Sequence, residues 1–269
     1  MTTVDRALGV LRLFTADRAE WTVEAAAREL GLSQTTAYEY FRSLVDSGLL
    51  STYKTGLYVI GPAIIELDRQ TRRCDPLILA ARDEMNRLAT TISDDDVVLL
   101  CRLYKLTVMC VDQRAPAIPR QLISYERGRP MPLERGAASK VILAHLPPRV
   151  LSRYHKQTHA NAAHPSWAEF RKPLRAIRKA GLCISHGELD QGRIGVSAPV
   201  FADGEIVGSI GLVLSEPSTG GQADVALDLQ RRIIKAGKHV SRMLSSPASA
   251  AAQKSPRRAL SSGRIRSQR

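Results

Sequence analysis

Two stretches near the start of the chain place apolar residues every three or four positions. The first is Val23–Leu30; the second carries Ala37, Tyr40, Phe41, Leu44 and Val45 along one stripe. Such spacing predicts two amphipathic helices, separated by a turn at Gly31-Leu32, where glycine supplies the backbone freedom that a tight reversal needs. Thr22 and Ser33 stand just before the two helices, where a side-chain oxygen can accept from a free N–H of the first turn. The second helix stops at Gly48. Short strand-like runs at Leu49–Thr52 and Leu57–Ile60 follow, and Tyr53-Lys54-Thr55-Gly56 turns between them as a wing with Lys54 at its tip. Arg6–Phe14 reads as a further helix.

Beyond Pro62 the pattern changes several times. Pro62–Leu79 reads as a helical connector and Ala80–Thr90 as an amphipathic helix. Val97–Leu103 and Leu106–Val111 are strands across a tight Tyr104-Lys105 turn. Ala137–Leu146 is a helix closed by Pro147-Pro148, and Trp167–Ala180 is a basic helix ending at Gly181. Ile194–Phe201 and Glu205–Leu214 form a hairpin across Ala202-Asp203-Gly204, before a long helix at Val225–Leu244. This mixture predicts an α+β chain with an antiparallel sheet. The expected organisation is a winged helix-turn-helix at 1–66, a helical linker at 67–80, a larger domain at 81–246 and a disordered tail at 247–269.

A helix-turn-helix presents its second helix to the major groove of duplex DNA. The solvent face of that helix here carries Gln34, Thr35, Tyr38, Glu39, Arg42 and Ser43, and its start carries Ser33 and Thr36. Gln34 can pair bidentately with adenine, and the Thr35 methyl can meet a thymine methyl. Arg42 and the wing residue Lys54 are suited to phosphates, which position a protein without specifying sequence. Charge argues the other way: residues 1–66 contain six Lys/Arg and eight Asp/Glu, a poor footprint for a polyanion.

The chain's net charge of +13 lies elsewhere. Six Lys/Arg and no acids fall in the tail, at Lys254, Arg257, Arg258, Arg264, Arg266 and Arg269. The remaining excess of nine belongs to residues 67–246. With 269 residues, 44% of them apolar, there is material for two packed domains and no run long enough to span a membrane. No signal peptide is read at the N-terminus. The four cysteines, Cys74, Cys101, Cys110 and Cys183, lack metal or redox spacing and read as reduced thiols of a cytoplasmic protein.

No catalytic constellation, metal site or cofactor motif emerges. His155 and His159 lie one turn apart but without an acidic partner between them, and read as an exposed pair. Cys110 and His186 would make a nucleophile and base only if the fold brought them together. Glu188 and Asp190 read as solvated carboxylates on a turn.

Several segments in order resemble the IclR family of bacterial transcriptional regulators. They are Val4–Leu8, Leu32–Tyr38 and Leu57–Pro62 at the N-terminus, then Pro132–Ala144, Gly187–Gly192 and Gly195–Phe201. One departure is Glu39, where the family often carries Arg; it either accepts from a cytosine amine or faces solvent. The resemblance implies a homodimer or homotetramer that binds a near-palindromic operator. It also implies a GAF-like C-terminal domain enclosing a small carboxylate effector. The effector site so implied comprises Gly136, Ala137, Ser185, Gly195, Gly211 and Val213. Free N–H groups at the helix start would attract the carboxylate, and Arg127, Arg129 or Arg135 would add a charged contact. Gly195, Gly211 and Val213 replace polar family residues, which implies a bulkier ligand than glyoxylate or pyruvate. Repression of a catabolic operon is favoured over activation. Two other readings stay open: an enzyme built on the C-terminal domain, and a winged helix that binds protein.

Overall fold

A computed structural model describes residues 2–118, 123–159, 165–216 and 225–246. The basic tail at 247–269, expected to be disordered, lies outside the described residues. The chain divides into two compact units between Asp75 and Pro76.

The first unit holds α1 (Thr3–Leu11), α2 (Val23–Leu30), α3 (Gln34–Asp46), β1 (Leu50–Lys54), β2 (Leu57–Ile60) and α4 (Ala63–Cys74). Helix α1 starts three residues earlier than the pattern suggests. Thr2 and Asp5 form a reciprocal cap there, each side chain accepting from the other's backbone N–H at 3.1 and 2.8 Å. Thr22 and Ser33 cap α2 and α3 as expected, accepting from Ala25 N and Thr36 N. Gly31 ends α2 in the left-handed region at φ 63°, a conformation that strains any residue with a Cβ. The stripe of α3 meets Val10, Trp21, Ala26 and Leu50 in a small core, with Phe41 edge-on to Tyr58 at 4.8 Å. Trp21 and Tyr58 exchange backbone hydrogen bonds of 3.0 and 2.9 Å, tying the segment before α2 to the wing. Strand β1 continues to Lys54, so the turn falls at Thr55-Gly56 and Lys54 flanks it rather than forming its tip.

The expected continuous connector is broken. Asp75 adopts an extended conformation (φ −66°, ψ 123°) between α4 and α5 (Pro76–Ala89). A proline ring disfavours the helical region for the residue before it, yet suits the first position of a new helix. Leu77 and Ile78, at the end of the expected linker, are buried in the core of the second unit.

That unit contains β3 (Val97–Tyr104), β4 (Thr107–Arg114), β5 (Pro130–Met131), α6 (Ala137–His145), α7 (Pro148–Thr158) and α8 (Trp167–Ala180). It ends with β6 (Cys183–His186), β7 (Arg193–Ala202), β8 (Glu205–Ser215) and α9 (Leu227–Leu244). Its six strands form one antiparallel sheet in the order β5-β4-β3-β8-β7-β6. The β3–β4 turn is Lys105-Leu106, one residue later than expected, with Lys105 at φ 55°. Alternation along the strands divides the interior into two layers. Leu99, Cys101, Cys183 and Val213 face α6, α7 and α8, whereas Val98, Leu100, Val196 and Leu212 face α5 and α9. A Cβ on Gly237 of α9 would come within 2.7 Å of the Pro199 carbonyl. Only glycine lets this helix lie so near β7.

Candidate functional site

Two places in the fold carry the expected residues, one in each unit. In the first, Gln34, Thr35, Tyr38, Glu39 and Arg42 are exposed on α3. Gln34, Thr35 and Tyr38 line an open depression together with residues of α2 and the wing, including Glu24, Gly56 and Tyr58. Ser33 and Thr36 are engaged at the start of the helix: the Ser33 hydroxyl donates to Thr36 Oγ1 at 2.9 Å while accepting from the Thr36 N–H. Arg42 lies 4.0 Å from Asp46, both well exposed, an ion pair too weak to hold the guanidinium back from a phosphate. Lys54 is exposed beside Tyr53.

The second place is a cavity of about 30 Å³ where α6 begins against the sheet. Its lining includes Gly136, Ala137, Ser185, Gly195 and Val213, and also Tyr125, Glu188, Leu189, Arg193 and Ser197. Gly211 lies behind Ser197, whose Oγ occupies the place a Gly211 Cβ would take. A Gly195 Cβ would meet the Ser185 Oγ at 2.7 Å. The glycines therefore do not open extra space; hydroxyls from neighbouring strands fill it. The cavity has room for one or two waters.

The N–H groups at the start of α6 are not vacant, contrary to expectation. Gly136 N donates to Glu188 Oε2 at 2.9 Å, Ala137 N to Ser185 Oγ at 3.0 Å, and Ser139 N to Tyr125 Oη at 3.1 Å. Glu188 also pairs with Lys140, and Arg135 donates to the Glu188 carbonyl. Glu188 and Asp190 are thus not solvated turn residues, because Asp190 accepts from both Ser124 N (2.9 Å) and Ser124 Oγ (2.5 Å). Between them Leu189 crosses Gly136, where a Cβ would meet its Cδ1 at 2.7 Å and Tyr125 Oη at 2.9 Å. Gly136 has φ 79°, so both space and backbone demand glycine. The segment 187–192 closes the cavity, its Glu188 carboxylate fastened to the start of α6 and its Asp190 carboxylate to Ser124.

Burial raises the Tyr125 phenol above its ordinary range and keeps it protonated. Burial also pushes the Cys183 thiol up to about 11. Arg193 reaches the cavity but is held elsewhere, donating to the Asp95 carbonyl at 2.7 Å and Ser215 Oγ at 2.6 Å. None of the three arginines expected here lines the cavity: Arg135 donates to the Glu188 carbonyl, Arg127 Nε donates to the Val111 carbonyl, and Arg129 is exposed.

Cys110 and His186 do not meet: their strands are four steps apart in the sheet, roughly 19 Å. His155 and His159 are not an exposed pair. The His159 side chain is 8% exposed and bonds Glu134 Oε1 at 2.8 Å, and both rings pack on Phe170. Among the described residues no cluster of His, Cys, Asp and Glu could hold a metal, and no helix is long and apolar enough to cross a membrane.

Residues 3–52 match the IclR helix-turn-helix domain, and residues 73–242 match the bacterial transcriptional regulator IclR C-terminal domain. The HTH-type transcriptional regulator KipR of Bacillus subtilis is 24% identical over 203 residues, spanning 74% of this chain and 80% of that protein. An IclR transcriptional regulator from Alicyclobacillus acidocaldarius has a similar fold, with a TM-score of 0.69 at 22% identity, over 90% of this chain and 97% of that one. An IclR homologue from Microbacterium hydrocarbonoxydans, solved with 4-hydroxybenzoate, matches with a TM-score of 0.67 at 18% identity, over 90% and 99%. With profiles matching in both units, and the larger one covering well over half of its length, the chain belongs to the IclR family of transcriptional regulators.

Proposed function

We propose that the chain represses a catabolic operon by binding a near-palindromic operator, and that a small carboxylate effector controls its affinity for that operator. The observation carrying this reading is the exposed face of α3, where Gln34, Thr35 and Tyr38 stand free beside the wing. Gln34 and Thr35 read base edges, Tyr38 and Glu39 border them, and Arg42 and Lys54 hold phosphates. Ser33 and Thr36 act indirectly by capping the reading helix. Residues 2–66 form the reading head and the remainder of α4, to Cys74, begins the connector.

A near-palindrome requires two copies. Helix α4 has no buried residue and exposes Ile64, Ile65 and Leu67; α1 exposes Val4 and Leu8. These apolar surfaces support a homodimer, or a tetramer built from it. The protein works in the cytoplasm, needs no cofactor and carries out no catalytic step.

The effector's carboxylate takes the place Glu188 now holds, accepting from Gly136 N and pairing with Lys140. Ser185 and Ser197 offer further hydroxyls. A cavity of about 30 Å³ is far below the roughly 300 Å³ of an ordinary small-molecule site, so binding displaces the 187–192 segment. The 4-hydroxybenzoate held by the Microbacterium homologue makes aromatic carboxylates the first to try.

The test is a fluorescence-anisotropy titration against the chain's own upstream DNA and a scrambled duplex, repeated with benzoate, 4-hydroxybenzoate and pyruvate. Preference for the upstream DNA that one carboxylate changes is the expected result. Equal affinity for both duplexes refutes specific recognition, and no response to any carboxylate refutes the effector assignment.

A further inference from the structure

The positive charge of the second unit lies largely on three helices, and two of them, α7 and α8, combine theirs on one surface; α9 carries its own on the other side of the sheet. Helix α7 carries Arg149, Arg153 and Lys156 at helical spacing along one face, and no acid. Helix α8 carries Arg171, Lys172, Arg175, Arg178 and Lys179 against one acid, Glu169. That acid is used in a cap with Ser166, accepting from its N–H at 2.8 Å and its hydroxyl at 2.6 Å. Arg178 is tied to the Ala144 carbonyl and Arg171 lies over Trp167. The other six cations are exposed, and among the described residues none has an ion-pair or hydrogen-bond partner. Elsewhere some exposed arginines are paired, as Arg72 is with Asp68, Arg87 with Glu84 and Arg232 with Asp228, while others such as Arg82 and Arg231 stand singly among the described residues. Pro148 borders both the open depression beside the α7 cations and the groove beneath α8, so the two stripes belong to one surface.

A single-sign field of this kind repels itself and costs stability unless a polyanion neutralises it. The reading head has more acids than cations in residues 1–66, so counterion release from DNA, the main source of affinity, has to come largely from elsewhere. We infer that the α7–α8 face is a second DNA contact, which binds backbone phosphates of duplex beyond the bases read by α3. It rests on the DNA-binding function proposed above. From Arg149 to Lys156 the helix rises about 10.5 Å, the length over which one DNA strand presents about three phosphates. An acidic peptide fits less well. It would need an apolar anchor point, and the groove under α8 holds only about 110 Å³, with Trp167 already packed against His155 and Phe170.

Binding of this kind is blind to sequence and sensitive to salt, which gives it a distinct signature. The full chain, the variant R149S/R153S/K156S and the variant R231S/K235S/K238S are titrated against long upstream and scrambled duplexes at several KCl concentrations. The second variant removes the same charge from exposed positions on α9, across the sheet. For the α7 variant, the slope of log affinity against log salt becomes shallower by about 2 to 3, since each phosphate left unneutralised takes away about 0.9. Its affinity for both duplexes falls by one common factor, leaving their ratio unchanged, and the α9 variant keeps the parent slope. An unchanged slope in the α7 variant, an equal loss in the α9 variant, or no binding of either duplex by the parent chain overturns the inference. A parent that binds both duplexes alike, while the α7 variant still flattens the slope, sinks sequence-specific regulation alone. Thermal melts matching the parent show that the surface changes leave the fold intact.

Discussion

Replacing Glu188 by Gln should make the protein less stable and its effector site tighter. The carboxylate accepts from Gly136 N at 2.9 Å and pairs with Lys140, with the two side chains 30% and 26% exposed. A hydrogen bond to a charged group is worth about 1.5–3 kcal/mol, and screening at this exposure reduces the share due to charge to roughly 1–2 kcal/mol. Gln keeps the shape and an acceptor oxygen but gives up that share, lowering the melting temperature by about 2–8 °C. A carboxylate that must evict Glu188 gains the same free energy, which is about five- to thirty-fold in affinity. Calorimetric titration of E188Q and the parent with benzoate and 4-hydroxybenzoate, beside thermal melts of both, measures the two effects. A merely structural Glu188 would lower stability and weaken or spare binding. That outcome, destabilisation without tighter binding, refutes the competition between Glu188 and effector.

Ser33→Ala removes the acceptor for Thr36 N and should cost about 1 kcal/mol, seen as an earlier midpoint in urea; an unchanged midpoint would mean the cap contributes nothing. Gly136→Ala forces a Cβ against Leu189 and Tyr125 at positive φ, and should cost about 1–3 kcal/mol, read from the same unfolding curves. Burial is the main cause holding the His145 imidazole below its ordinary value of 6.5, with Arg178 adding to it. A depressed folded pKa favours the neutral ring, so stability is full above pH 6.5 and is lost as pH falls through the lower folded value. His145→Gln should flatten that decline in a melting series from pH 7.5 to 5, and an equal decline in both proteins would contradict it. Among the thiols Cys74 is exposed and the other three are buried. With Ellman's reagent one thiol should react fast and three only on unfolding.

Local chemistry is the legible part of the chain. Thr22, Ser33 and Gly31 announce the ends of α2 and α3, and the structure uses each of them that way. The hairpin around Asp203-Gly204 and the helix between Trp167 and Gly181 are equally clear. What escapes depends on interactions between distant segments. Lys140 and Glu188 are 48 positions apart, and nothing near either one signals the other. Gly195 and Gly211 look like vacated space in the sequence because the hydroxyls that fill it come from adjacent strands. Helix α7 is hidden by Pro147-Pro148, which signals a stop for α6, although proline serves equally well at the first position of a new helix. Strands β5 and β6, two and four residues long, are too short to show an alternating pattern.

Strand β6 has one more consequence. It is an edge strand, and among the described residues the only strand it pairs with is β7. Ser185 lies within it and Glu188 two residues past its end, so both partners of the first α6 amides hang from a margin of the sheet that is paired on one side only. Such margins open locally at a small fraction of the free energy of global unfolding. Amide hydrogen exchange should therefore be fast along 183–192 without ligand and slow when the cavity is filled, while the central strands β3 and β8 stay protected throughout. The occupied and empty states would then differ mainly in how often this margin frays, and the rest of the sheet need not move.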